Sequence, residues 1–91
     1  MNIPQISGID TALRIFYQYP EIGTKEIMEL FEICSKSTVS RLKRLAHNRM
    51  VEDDVYSHSL YKVHTGSAYK AWGIDIEDLE RRRNKLRKLQ L

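Results

Sequence analysis

The chain has 91 residues, 42% apolar and 30% charged, with a net charge of +3. That is the size of one domain with a modest core, too small for a substrate cleft between two lobes and too apolar for general disorder. No run approaches the roughly 18 apolar residues of a membrane span, and the start MNIPQISGID has neither the basic residues nor the apolar stretch of a secretory signal. A cytoplasmic protein without membrane contact is therefore expected.

Ser7, Gly8, Ile9 and Asp10 signal a helix start with an acid in the first turn, and Ile9, Ala12, Leu13, Phe16 and Tyr17 then recur at helical spacing. Pro20 ends this first helix, because the residue before a proline is pushed out of helical geometry. Gly23 and Thr24 open a second, short helix with Ile27, Leu30 and Phe31 along one side, ending near Glu32 or Ile33. The only cysteine, Cys34, lies in the turn that follows and reads as a small buried apolar residue. With no second cysteine to pair with, it fits a reducing compartment. The hydroxyl of Ser35 is placed to cap a third helix.

That helix, 36–49, holds five Lys or Arg and no acid, while the flanking stretches 1–35 and 50–56 each carry a net −3. Val39, Leu42, Ala46 and either Arg49 or Met50 form its packing side, with Leu45 at the edge. At about 100° per residue the opposite side collects Ser37, Ser40, Arg41, Arg44 and Asn48, flanked by Lys36 and His47. A solvated surface helix mixes both signs of charge. A helix start with hydroxyls, free N–H groups and cations instead suits phosphate, and its middle reaches base edges in a groove about 12 Å wide. The expected partner is double-stranded DNA. Ser35, Lys36 and Arg44 would touch phosphates. Ser37, Ser40, Arg41 and Asn48 would face the bases, Arg41 preferring guanine.

After Met50, Val55, Tyr56, Leu60, Tyr61 and Val63 predict a small β-hairpin around the turn-like SHS. Tyr56, Tyr61, Tyr69 and Trp72 are assigned to the core rather than to base stacking. Thr65 is predicted to cap a further short helix through Ala68, Tyr69 and Trp72, which Gly73 closes in a left-handed conformation. The last segment, IDIEDLERRRNKLRKLQL, places its acids first and its bases, Arg81 to Lys88, last, the order that complements a helix macrodipole. Glu77 with Arg81 and Asp78 with Arg82 are expected to pair.

In this C-terminal helix Ile76, Leu79, Leu86 and Leu89 approximate an apolar stripe interrupted by Arg82 or Arg83. Three uses are open: joining a second copy, covering Trp72 and the first helix of its own domain, or holding nucleic acid with Arg81, Arg82, Arg83, Lys85, Arg87 and Lys88. The first is the expectation, a homodimer through residues 74–91 attached to a DNA-binding domain of residues 1–73. His47, His58, His64 and Cys34 fall in no metal-ligand spacing, and no glycine-rich phosphate loop or nucleophile motif is present. No metal, cofactor, small-molecule ligand or enzymatic activity is expected.

The stretch TKEIMELFEICSKSTVSRLKRLAHNRMVE resembles the helix-turn-helix of winged-helix bacterial and phage regulators, in which a S-[KR]-S-T-V-S-R run opens the recognition helix. YKVHTG is similar to the last wing strand and the start of the helix after it, so the resemblance covers roughly residues 9–66. It implies a mainly α fold with a small β-hairpin: a winged helix-turn-helix built on a three-helix core, plus a C-terminal helix outside that core. It places Ser37, Thr38, Ser40 and Arg41 at the reading positions. The implied function is sequence-specific DNA binding by a small transcriptional regulator. An excisionase-like or architectural protein of a mobile element, and a protein adaptor docking through the C-terminal helix, are the competing readings. The turn FEICSK lacks the glycine common in such turns, and Glu52, Asp53 and Asp54 argue against a phosphate grip by the hairpin.

Overall fold

Five α-helices and one two-stranded antiparallel sheet make up residues 3–59 and 61–89, the part of the chain that this computed structural model describes. The order is α1 (Ile9–Gln18), β1 (Glu21–Ile22), α2 (Thr24–Phe31), α3 (Lys36–Asp53), β2 (Val63–His64), α4 (Thr65–Ala71) and α5 (Ile76–Leu89).

Tyr19 is extended at the end of α1, as the following Pro20 requires. Ser7 does not cap α1; Gly8 takes that position, while the Ser7 hydroxyl and N–H donate to the carbonyls of Glu29 and Leu30 at the end of α2. Those late carbonyls have no acceptor role left inside their own helix, so the N-terminal segment satisfies them. In the sheet, Glu21 lies opposite His64 and Ile22 opposite Val63. Beside this ladder, Thr65 donates its N–H to the Pro20 carbonyl (3.0 Å) and its hydroxyl to that of Tyr19 (2.6 Å). The chain leaving α1 is thereby fastened to the chain entering α4.

The core gathers Leu13 and Ile15 of α1, Ile22, Ile27 and Leu30, then Leu42, Val63 and Tyr69. On α3 the buried positions are Val39, Leu42, Ala46 and Met50, the three-to-four spacing that packs one side of a helix. Two aromatic side chains carry polar ends into this core and find acceptors there: Tyr69 donates to the Ala12 carbonyl (2.7 Å) and Trp72 Nε1 to the Leu42 carbonyl (2.9 Å). Burial raises the Tyr69 phenol above its usual range.

Several sequence expectations are corrected. No hairpin forms within residues 51–64 among the described residues. α3 continues to Asp53 and ends at Asp54 in the left-handed conformation (φ 55°), with Val55 N–H donating back to the Met50 carbonyl. Arg49 pairs with Asp53 (3.2 Å) and Glu52 (3.8 Å) one turn ahead, which adds a few tenths of a kcal/mol to this last stretch of the helix. The Ser67 hydroxyl also donates to Asp53, and this bond, with Arg49, keeps the Asp53 carboxyl below the ordinary aspartate range. Val55, Tyr56 and Tyr61 lie outside any strand, Leu60 lies outside the described residues, and Val63 pairs with β1 instead of its own neighbours. Tyr56 and Tyr61 are 82% and 79% exposed, so only Tyr69 and Trp72 of the four aromatics assigned to the core are there. Cys34 is exposed; the neighbouring Ile33 packs against the core in its place. His64 rather than Thr65 caps α4, its Nδ1 accepting from Ser67 N–H (3.2 Å).

Gly73 does adopt the left-handed conformation (φ 73°) that closes α4. The Asp75 carboxylate then accepts from the N–H groups of Glu77 and Asp78 and opens α5. The first turns of α5 are not outside the core: Leu79 is buried, Ile76 packs on the core cluster, and Tyr17 of α1 donates to Glu80. Asp78 takes both Arg82 and Arg81, and no Glu77–Arg81 pair forms among the described residues. No described helix is long and apolar enough to cross a membrane.

Candidate functional site

The α2–α3 connection is four residues, 32–35. Glu32 turns the chain with φ 51°, a left-handed conformation that a glycine adopts at less cost. Ser35 is extended, and its hydroxyl accepts from Thr38 N–H (3.3 Å) while lying 3.0 Å from the Ser37 hydroxyl. The cap fixes where α3 begins, and so fixes which side chains point away from the core.

Ser35, Lys36, Ser37, Ser40, Arg41, Arg44 and Asn48 are all exposed; Thr38 is half-buried at the edge of the packed side. Ser37, Ser40, Arg41, Arg44 and Asn48 follow one another at helical spacing and form a single uncovered face, with Lys36 and His47 beside it. Arg14, Arg49, Arg81 and Arg82 each have a carboxylate partner, but Lys36, Arg41 and Arg44 have none within ion-pair distance among the described residues. Cations without an internal partner remain free to exchange their counterions for a polyanion.

Tertiary structure adds residues that helical periodicity did not single out. Lys43 reaches across to α2 and donates to the Thr24 hydroxyl (2.7 Å). Thr24, Lys36, Ser40 and Lys43 line one depression between the start of α2 and the exposed side of α3. A second depression beside it adds Lys25, Tyr61 and Lys62, so the basic surface extends from α3 over the start of α2 to the segment preceding β2. The one acid there, Glu26, is engaged by the Gly23 N–H (2.9 Å). Lys43 was findable, since 36, 40 and 43 share a helical stripe. Its meeting with Thr24 and Lys62 depends on how α2 and residues 61–62 fold back, which no local pattern specifies.

The other end of α3 is different. Arg49 pairs with Glu52 and Asp53, and His47, Val51, Asp54, Tyr56 and Ser57 border an open groove of about 400 Å³. The segment 55–59 is anchored by Glu21, whose carboxylate accepts from His58 N–H (2.6 Å) and is held below its ordinary range chiefly by that bond. Among the described residues no three His, Cys, Asp or Glu side chains converge as a metal site would need. Comparison of the chain with protein-family models, with curated proteins and with solved structures gives no significant match.

Proposed function

We propose that the chain is a small transcriptional regulator that binds duplex DNA sequence-specifically as a winged helix-turn-helix, with α2 and α3 as the helix pair. α3 lies in the major groove, and the β1–β2 ladder serves as a short wing. Arg41 makes a bidentate contact to guanine, flanked by Ser37, Ser40 and Asn48, with Thr38 at the margin of the contact. Ser35, Lys36 and Arg44 hold phosphates, joined by Thr24 and Lys43 from the depression beside them.

The observation that carries this reading is the uncovered, acid-free face of α3 with its unpaired cations. An acidic protein surface would also attract cations. The duplex is favoured because a side-chain-clad helix about 10–12 Å across fits a groove about 12 Å wide, and because serines and an asparagine alternate with the arginines in positions that suit base edges.

Selection from a pool of random duplexes followed by gel retardation tests the proposal. A preferred site should emerge, and Arg41→Ala should weaken it by about 1–3 kcal/mol, roughly 5- to 150-fold, without changing the melting temperature. Lys43→Ala should weaken all duplexes alike and flatten the salt dependence by about one counterion. Absence of any preferred site, or full retention of the preference by Arg41→Ala, overturns the reading. Marked bending of the selected site would assign an architectural, excisionase-like role instead.

A further inference from the structure

Where α5 meets the start of α1, a charged group is left without a partner. From Arg81 to Leu89 every residue of α5 is exposed except Arg83, and its Nε is buried with no hydrogen-bond acceptor. A guanidinium N–H shut away from water keeps its desolvation cost until an acceptor reaches it. Arg87 lies one turn further along the same side of α5, so the two like charges also repel each other. Neither has a carboxylate within ion-pair distance among the described residues.

The first turn of α1 brings further donors to the same place. Gly8 is its N-cap and has no side chain to accept from the N–H groups of Ile9, Asp10 and Thr11, which open the helix and have no carbonyl behind them. The neighbouring Ser7 hydroxyl is engaged elsewhere, on the Glu29 carbonyl. Residues 8–11, with Arg83, Leu86 and Arg87, line an open depression of about 350 Å³.

We infer that this depression binds a phosphate group. Arg83 and Arg87 offer their planar forks, and the N–H groups of the α1 start supply the other donors. A flat carboxylate is satisfied by one fork, whereas the oxygens of a phosphate point several ways and suit donors arriving from two helices. Leu86 and Ile9 flank the charges and suit the carbon part of a phosphate ester. The one acid there, Asp10, is exposed, and two guanidinium groups with a helix start outweigh it. The phosphate is that of a free phosphorylated small molecule or of a DNA backbone. Through Ser7 the start of α1 touches the end of α2, whereas Thr24 and Lys43 meet at the α2 start, so the site does not rest on the function proposed above.

Amide NMR of the full chain, titrated with phenyl phosphate at constant ionic strength, tests the inference. The N–H signals of residues 9–11 and the Nε–H of Arg83 should shift together and saturate. Gly8→Asp places a carboxylate at the N-cap, where an added side chain meets open space, and should abolish the saturable shifts with the fold intact. Arg83→Gln should weaken binding roughly tenfold or more, as loss of a hydrogen bond to a charged group does. Asp10→Asn should tighten it by roughly two- to fivefold, the effect of one charge beside a helix start. Shifts that never saturate, or wild-type affinity in Gly8→Asp, overturn the inference. A duplex of random sequence distinguishes the sources. If Arg83→Gln weakens retention of every duplex, the phosphate is that of DNA; if it retains duplexes like the wild type while losing phenyl phosphate, the ligand is a free ester. Arg41→Ala should bind phenyl phosphate like the wild type, so failure here and failure of the DNA reading are separable.

Discussion

α3 and α5 are the two basic helices of this protein, and they handle charge in opposite ways. α3 excludes acids from 36–49, and Lys36, Arg41 and Arg44 have no ion-pair partner among the described residues. α5 carries three acids against six bases but sorts them, acids at its start and bases at its end, and pairs Arg81 and Arg82 internally with Asp78. The packing differs in step: α3 buries four residues from Val39 to Met50, whereas α5 buries Leu79 alone. A basic composition is thus two physical objects here. One is a cationic surface held rigid by the core behind it; the other is a dipolar rod attached at one end.

The contrast can be broken most forcefully from the core side of α3. Leu42→Ala, at a fully buried position, should cost about 2–5 kcal/mol and unfold a domain of this size or bring it close to unfolding. Denaturant melts would measure it, and a loss under 1 kcal/mol would mean that α3 is not anchored as described. A middle-sized effect is expected from Ser35→Ala, which removes the cap on Thr38 N–H: about 1 kcal/mol of stability, with reduced discrimination among duplexes because the start of α3 frays. The smallest effect should come from Asp78→Asn. Loss of its pairing with Arg82 and Arg81 should cost only a few tenths of a kcal/mol. Amide exchange should quicken within α5 and remain unchanged in α3, which would sharpen the distinction between a helix held by the core and one held largely by its own charges.

Much of the helical architecture was legible in the residue order. Pro20 ending α1, Ser35 capping α3, Gly73 closing α4 and the buried stripe of Val39, Leu42 and Ala46 all follow from backbone sterics and periodicity, which act over a few residues, while the structure chose Met50 over Arg49 as the stripe's last member. The exposed side of α3 was legible for the same reason, because once one side of a helix is buried the other is determined. What failed was the segment after Met50. Val55, Tyr56 and Tyr61 have the composition of strands, but strand propensity expresses itself only when a partner edge is available. The edge that exists is β1, which accommodates Val63 and His64 and leaves Tyr56 and Tyr61 in solvent. Cys34 misled similarly: a small apolar residue in a turn is buried only if the turn faces inward, and here Ile33 does.

The sequence by itself determined which stretches coil, where α1 stops, where α3 starts and where α4 closes, and that residues 36–49 carry cations without acids, because capping, proline sterics and helical periodicity are short-range and independent of what the helix packs on. Only the tertiary structure decided that β2 pairs with β1, that Lys43 meets Thr24, and that α5 leaves the core partway along its length with Leu86 and Leu89 exposed. Those outcomes rest on contacts between residues distant in the chain, where each candidate partner competes with every other and the winner is set by how the whole core closes.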